Sequence, residues 1–268
     1  MPETHQIIHM ASFSRSGETL MLRCLNAHPS IHVVHQILEP DQSPDIALFR
    51  YLMKHSALDV SSQESTVKDA KVPKGSTILL KNAVWTHPHS FRGFVLVRNP
   101  FSVINSFKIT REREEKTVER KKQLRRWAKM IDPQLLPAVS HSDNIAAVCM
   151  LYNRKMAPLL RLGLPIVRYE DFVASPDTIL PKLLDRLGIP QNQAVLKSHE
   201  NYAPESYGHG HIPLWQPIHN RSTDSWKRLA PRIISSVYGI TWPVMRDYGY
   251  DLVDGELILR DDVEGLVK

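Results

Sequence analysis

The residues best placed to do chemistry lie near the start of the chain. There an apolar run ends in Ser14-Arg15-Ser16-Gly17-Glu18-Thr19-Leu20 and a helical pattern follows at once. A strand that turns through such a segment into a helix aims backbone N–H groups and the positive end of the helix dipole at one point, a geometry that binds a phosphate-like anion. A nucleotide-hydrolysing loop of the form G-x-x-x-x-G-K-[ST] also needs a Lys on the terminal phosphates and a hydroxyl on Mg²⁺. Here Phe13 and Ser14 occupy the early loop, and Glu18 stands where that Lys would be. The segment suits a nucleotide carrying an anionic group, not Mg–ATP chemistry.

Three further segments could join it. Val95-Leu96-Val97-Arg98-Asn99-Pro100 is followed by Ser106, eight residues after the Arg. An Arg fork and a hydroxyl on the next helix together make a phosphate site, whereas Arg98 alone would read as a surface ion pair. Its place directly after Phe94 to Val97 puts it at a sheet edge. Val167-Arg168-Tyr169-Glu170-Asp171-Phe172 precedes Leu187-Gly188-Ile189-Pro190, and Tyr169 by itself could simply cap the core. Last come Asn220-Arg221-Ser222-Thr223-Asp224-Ser225-Trp226 and Asp247-Tyr248-Gly249-Tyr250. The pair His209 and His211 has no Cys or carboxylate nearby, so a substrate loop is a better reading than a metal site.

The elements that would position these residues follow from periodicity. Strands are expected at Ile7 to Phe13, Ile31 to His35, Thr77 to Lys81, Gly93 to Val97 and Pro165 to Tyr169. Helices are expected at Gly17 to Asn26, around Asp45 to Lys54, from Pro100 to Ile109, and over Lys116 to Met130 and Asn144 to Leu162. Two more run from Pro176 to Leu187 and from Pro231 to Tyr248. Ser61 to Ser76 reads as a surface loop, and Gln191 to Trp226 as irregular. The alternation gives an α/β fold class, a P-loop-like three-layer fold with a mostly parallel central sheet flanked by helices, in one domain over residues 1–268. The loop after the first strand then lies at the carboxyl edge, where ligands bind in such sheets.

Composition bounds the partners. Apolar content of 42% and charged content of 23% are ordinary for a soluble globular chain. No stretch approaches ~20 apolar residues and the N-terminus lacks a signal pattern, so no membrane partner is expected. Cys24 and Cys149 both sit in apolar helical patterns, which fits a cytoplasmic setting without disulfides. The net charge of +6 is concentrated between Lys108 and Lys129, which hold ten Lys/Arg and four Asp/Glu. Signs alternate there at helical spacing, so one reading is a solvated helix and another a basic rim that attracts anions. Aromatics are not interleaved, so no nucleic-acid partner is expected. Nothing in the chain speaks to oligomeric state.

Taken in order, the four segments resemble the motifs of sulfotransferases that use 3′-phosphoadenosine 5′-phosphosulfate (PAPS). The first resembles the family's 5′-phosphosulfate loop. Arg98-Asn99-Pro100 with Ser106 is similar to its 3′-phosphate motif, and Tyr169-Glu170-Asp171-Phe172 to its Tyr-Glu-Asp-Leu strand end. Ser222 to Trp226 is similar to its late Ser-x-x-x-Trp loop. The likeness runs from Ile7 to Asp251. It implies a donor site of Arg15, Ser16, Gly17, Glu18, Thr19, Arg98, Ser106, Tyr169 and Ser222, with Tyr169 against the adenine. The product would be adenosine 3′,5′-bisphosphate, and no metal is implied. Two departures stand out: the family has Ser or Thr where Glu18 stands, and usually Asp where Asn99 stands.

The base depends on the branch. A Lys-x-His pattern is missing, because Lys81 is followed by Asn82 and Ala83. Leu25-Asn26-Ala27-His28-Pro29-Ser30 instead resembles a stretch of tyrosylprotein sulfotransferases, whose Glu base, carried over by spacing, falls on His35. Glu39, Lys81 and His87 are reserves. The mechanism implied is in-line transfer of a sulfuryl group to a hydroxyl or amine. His35 would take the proton, while Arg15, the loop amides and Lys81 stabilise the leaving phosphate. The expected acceptor is a small metabolite or sugar, with Trp85, Trp215 and Tyr207 lining its pocket. A nucleotide-dependent phosphotransferase and a non-enzymatic RNA-binding module are the alternatives.

Overall fold

Side chains of the first and fourth strands alternate between two buried faces, and this alternation builds the three layers. In the computed structural model, which describes residues 6–34, 72–83, 91–109, 114–208 and 212–268, β1 (Gln6–Ser12) and β4 (Gly93–Val97) lie at the centre of a five-stranded sheet. β2 (Ile31–Val33), β3 (Thr77–Asn82) and β5 (Ile166–Arg168) complete it in the order β2-β3-β1-β4-β5, and every pairing is parallel. The strand order reverses at β1, the place where such sheets open a crevice at their carboxyl edge.

Ile8, Met10, Phe94 and Leu96 face α1 (Glu18–Asn26) and α7 (Pro176–Leu187) in one core. Ala11, Val95 and Val97 face the other core, with α2 (Pro100–Phe107), α3 (Glu114–Ile131), α5 (Asn144–Met156) and α8 (Pro231–Asp247). The short helices α4 (Leu136–His141) and α6 (Tyr169–Ala174) complete the layers. Phe13, the last buried residue before the anion loop, sits edge-on to Trp127 at 6.1 Å and to Tyr152 at 5.5 Å. The loop is thus anchored where it leaves the sheet. Gly93 admits β4 beside β1, because any Cβ there would overlap the His9 backbone.

The structure adjusts several boundaries. Tyr169 opens a helix rather than closing a strand. The α-helix from Asn144 stops at Met156 and continues as a 3₁₀ turn over Ala157–Leu162, since Pro158 lacks the N–H the helix needs. The 191–226 stretch includes a two-residue ladder, β6 (Tyr207–Gly208) with β7 (Ile212–Pro213). A C-terminal hairpin, β8 (Tyr250–Val253) and β9 (Glu256–Leu259), was not expected from periodicity. The chain end pairs with the open edge of β5 through Ile166 and Leu266. Cys24 and Cys149 are buried as thiols in different cores. No helix among the described residues is long and apolar enough to cross a membrane.

One core group couples folding to pH. His9 is 3% exposed, and burial together with the Lys155 ammonium lowers its imidazole from 6.5 to about 4. The folded state therefore keeps His9 neutral while the unfolded chain takes up a proton below 6.5. Stability contributed by this site is full above that pH and is lost as pH falls from 6.5 towards 4, by about 2 kcal/mol at pH 5. Urea unfolding at pH 7.5 and pH 5 is expected to show a larger loss in the wild type than in His9→Leu; equal losses in both would overturn it.

Candidate functional site

The loop between β1 and α1 has the tight backbone geometry its sequence requires. Arg15 and Gly17 adopt positive φ, 77° and 97°, in the turn that leads into α1. A left-handed residue with a Cβ is uncommon and costs on the order of 1 kcal/mol, a strain that clusters at functional sites. Gly17 is obligatory for a second reason: a Cβ there would overlap the Tyr169 ring. Gly17 caps α1 without any side-chain acceptor, so the first-turn N–H groups face outward from the helix end. The Ser16 hydroxyl is buried and finds no partner among the described residues.

Arg98 joins this loop to the late segment. It leaves the end of β4 6% exposed and donates from Nη1 to the Arg15 carbonyl at 3.3 Å and from Nη2 to the Ser222 carbonyl at 3.1 Å. Its guanidinium lies 4.3 Å from the centre of the Tyr169 ring, while its Nε has no partner among the described residues. The Tyr169 hydroxyl shares a 2.9 Å hydrogen bond with Ser222 Oγ. One face of Tyr169 is thus already covered by a cation, and its edge supports Gly17. Ser222 is held from below: Asn105 Nδ2 donates to Ser225, Ser225 Oγ donates to the Ser222 carbonyl, and Ser102 Oγ donates to the Thr223 carbonyl.

These groups line one cavity of about 300 Å³. Arg15, Gly17, Glu18, Thr19, Lys81, Arg98, Ser106, Tyr169 and Ser222 all border it, so the expected donor residues converge, with Ser16 buried just behind. His35 lies outside the described residues, as do Glu39, Trp85, His87, His209, His211 and the stretch Asp45 to Lys54. Tyr207 and Trp215 pack edge-to-face at 5.0 Å and do not border the cavity. Sequence reading missed the far wall. Arg23, 2% exposed, donates from Nη1 to the carbonyls of Leu214 and Gln216 at 2.9 and 2.8 Å. A cation between Leu22 and Cys24, on the apolar face of α1, was the available signal. His219 also borders the cavity from that wall.

Glu18 is buried beside the cations rather than turned to solvent. Burial holds the Lys81 ammonium below its usual range; the Glu18 carboxylate opposes that shift and the Arg15 charge adds to it. Glu18 therefore favours the protonated form of Lys81, against the effect of burial. Glu18→Gln should shift the alkaline fall of kcat/KM to lower pH, because Lys81 then loses its proton earlier. A profile that stays in place would show that Lys81 does not govern that limb.

Asn99 finds its reason in Glu170. The Asn99 carbonyl Oδ1 caps α2 by accepting from the Ser102 N–H at 2.8 Å, and its Nδ2 donates to Glu170 Oε1 at 2.6 Å. Tyr250 donates to the other carboxylate oxygen at 2.6 Å. An aspartate in place of Asn99 would set two carboxylates face to face.

No family model and no curated protein matches the chain. Among solved structures it is similar to the sulfotransferase domain from the Synechococcus PCC 7002 olefin synthase, at 17% identity and a TM-score of 0.54 over 93% of this chain and 96% of that one. It is equally similar to the sulfotransferase domain from the curacin biosynthetic pathway, at 18% identity and a TM-score of 0.55 over 93% of this chain and 99% of that one. The fold is the sulfotransferase fold. Within it, the anion loop after β1 and the Arg98 strand end sit side by side at the carboxyl edge, and the cavity opens between them.

Proposed function

We propose that the chain is a sulfotransferase that uses PAPS and delivers the sulfuryl group to a hydroxyl or amine of a small-molecule acceptor. One observation carries this reading. On a sulfotransferase fold, the loop amides, Arg15, Lys81 and Arg98 converge on one cavity, and Glu18 occupies the place of the Lys a Mg–ATP loop needs. The donor set fits an anionic nucleotide: three cations supply charge, and the buried Ser16 hydroxyl and the Arg98 Nε have hydrogen bonds to give. When bound, PAPS would supply the activated sulfuryl group.

The chain's own residues then have separate tasks. Arg15, the first-turn amides of α1 and Lys81 would stabilise negative charge on the leaving phosphate side. Arg98 and Ser106 would fix a second phosphate, with Tyr169 and Ser222 bracing Arg98. His35 would take the acceptor proton, a role carried over from the tyrosylprotein sulfotransferase stretch that Leu25 to Ser30 resembles.

Calorimetry tests the donor site directly. Adenosine 3′,5′-bisphosphate should bind without Mg²⁺ and far more tightly than Mg–ATP, and Arg98→Ala should abolish that binding. His35→Gln should leave bisphosphate affinity intact and lower kcat by about a hundredfold or more. Preference for Mg–ATP would favour a phosphotransferase, and loss of neither property in the variants would remove the assigned roles.

A further inference from the structure

The basic run between Lys108 and Lys129 divides its charges between two tasks. On α3, Lys121 donates to the carbonyls of Val139 and Ser142 and Arg125 donates to Ser140 Oγ, so both tie α3 to α4 and the turn after it. Lys116 and Arg120, four residues apart on one face of the helix, border a second cavity of about 500 Å³, Arg120 while also donating to the Phe107 carbonyl at 3.2 Å and to Gln123 Oε1 at 2.6 Å. Lys108 and Arg228 border it too, and Arg15 and Arg98 reach it from the first cavity. Among the described residues, six cationic side chains and no carboxylate surround this space.

The charges around it are sorted. Lys227 turns away to Glu256 at 2.7 Å and Asp224 at 3.9 Å, while its neighbour Arg228 faces the cavity. Lys108 holds a left-handed φ of 56° at the end of α2, an uncommon conformation for a residue with a Cβ. Phe107 forms an apolar floor over which the guanidinium groups of Arg15 and Arg120 lie, 5.8 and 5.2 Å from the ring centre. Like charges gathered in one concavity focus a positive potential. With Arg15 assigned to the leaving phosphate, Arg98 and one further cation match the charge of roughly −2 that a single phosphate monoester brings. Lys108, Lys116, Arg120 and Arg228 exceed that need, and the space is larger than the first cavity.

We propose that this second cavity binds a chain of two or more phosphoryl groups. Such a chain could be carried by the nucleotide, as a 3′-diphosphate in place of the 3′-phosphate, or could be free inorganic polyphosphate seated beside it. The nucleotide orientation rests on the function proposed above; the affinity for the chain does not.

Calorimetry at low ionic strength separates these cases, using adenosine 3′,5′-bisphosphate, adenosine 5′-phosphate 3′-diphosphate and inorganic tripolyphosphate. The proteins are wild type, Lys116→Ala/Arg228→Ala, and Lys122→Ala/Arg126→Ala as an equal loss of charge on exposed sites that do not border the cavity. Tripolyphosphate should bind the wild type and lose about tenfold or more in the Lys116/Arg228 variant, but not in the control. A nucleotide-borne chain predicts that the 3′-diphosphate binds about tenfold tighter than the bisphosphate, a gain lost in the same variant. A free chain predicts instead that tripolyphosphate still binds when the bisphosphate is saturating. If neither nucleotide binds while tripolyphosphate depends on Lys116 and Arg228, this inference stands and the sulfotransferase reading falls. Equal nucleotide affinities, with tripolyphosphate binding indifferent to the pair, would overturn it.

Discussion

Arg15→Ala is expected to lower kcat/KM for sulfuryl transfer by about a hundredfold to a thousandfold, the range for removing one preorganised stabiliser of developing charge. Arg15 combines features that no other cation of the site shares. It stands inside the anion loop, it borders both cavities, and its charge is felt by Lys81. The substitution leaves the backbone problem unchanged, because Ala at a φ of 77° is strained as Arg is. The Arg15 carbonyl that receives Arg98 belongs to the main chain and survives as well. Thermal stability should therefore hold while activity falls, and Arg15→Lys should recover part of it, since charge returns without the fork. A loss smaller than about threefold, with bisphosphate binding intact, would remove Arg15 from the role given to it.

How legible this site was follows from how local each signal is. The loop from Phe13 to Thr19 could be read because a strand, a tight reversal and a helix start are encoded by adjacent residues. Arg98 could be placed because four buried apolar residues precede it. Arg23 and Arg228 escaped, since their roles depend on segments far away in sequence: Arg23 reaches Leu214 and Gln216, and Arg228 meets Lys108 and Lys116 only across the cavity. The charge of the 108–129 run was visible, but not its division, which depends on where α4 packs. The C-terminal hairpin did carry a local signal. Asp254-Gly255, at φ of 51° and 81°, is the dipeptide that two-residue hairpin turns favour, and the surrounding alternation of strands and helices masked it. Tyr169 misled in another way: the apolar run suited a strand, yet Glu170 and Asp171 after it belong to the first turn of a helix.

The second large effect is expected in stability, at Glu170. Its carboxylate is 6% exposed and accepts from Asn99 Nδ2 and from the Tyr250 hydroxyl, each at 2.6 Å. It therefore joins the end of β4, the start of α6 and the hairpin that follows α8. Glu170→Ala removes a buried acceptor shared by the Asn99 N–H, Asn99 Nδ2 and the Tyr250 hydroxyl, which should cost about 2–5 kcal/mol. Asn99→Asp should also destabilise, because two carboxylates then compete for one site unless one takes up a proton. The exchange Asn99→Asp/Glu170→Gln offers a sharper test. Its glutamine amide can donate to the introduced aspartate and still accept from Tyr250, so the double variant should be more stable than Asn99→Asp alone by more than about 1 kcal/mol in urea unfolding. Arg98 is adjacent to Asn99 in the chain, and Tyr169 adjacent to Glu170, so bisphosphate affinity should recover with stability. Strictly additive losses would mean that the two side chains act separately, and the buried pair would then not be what holds Arg98 against Tyr169.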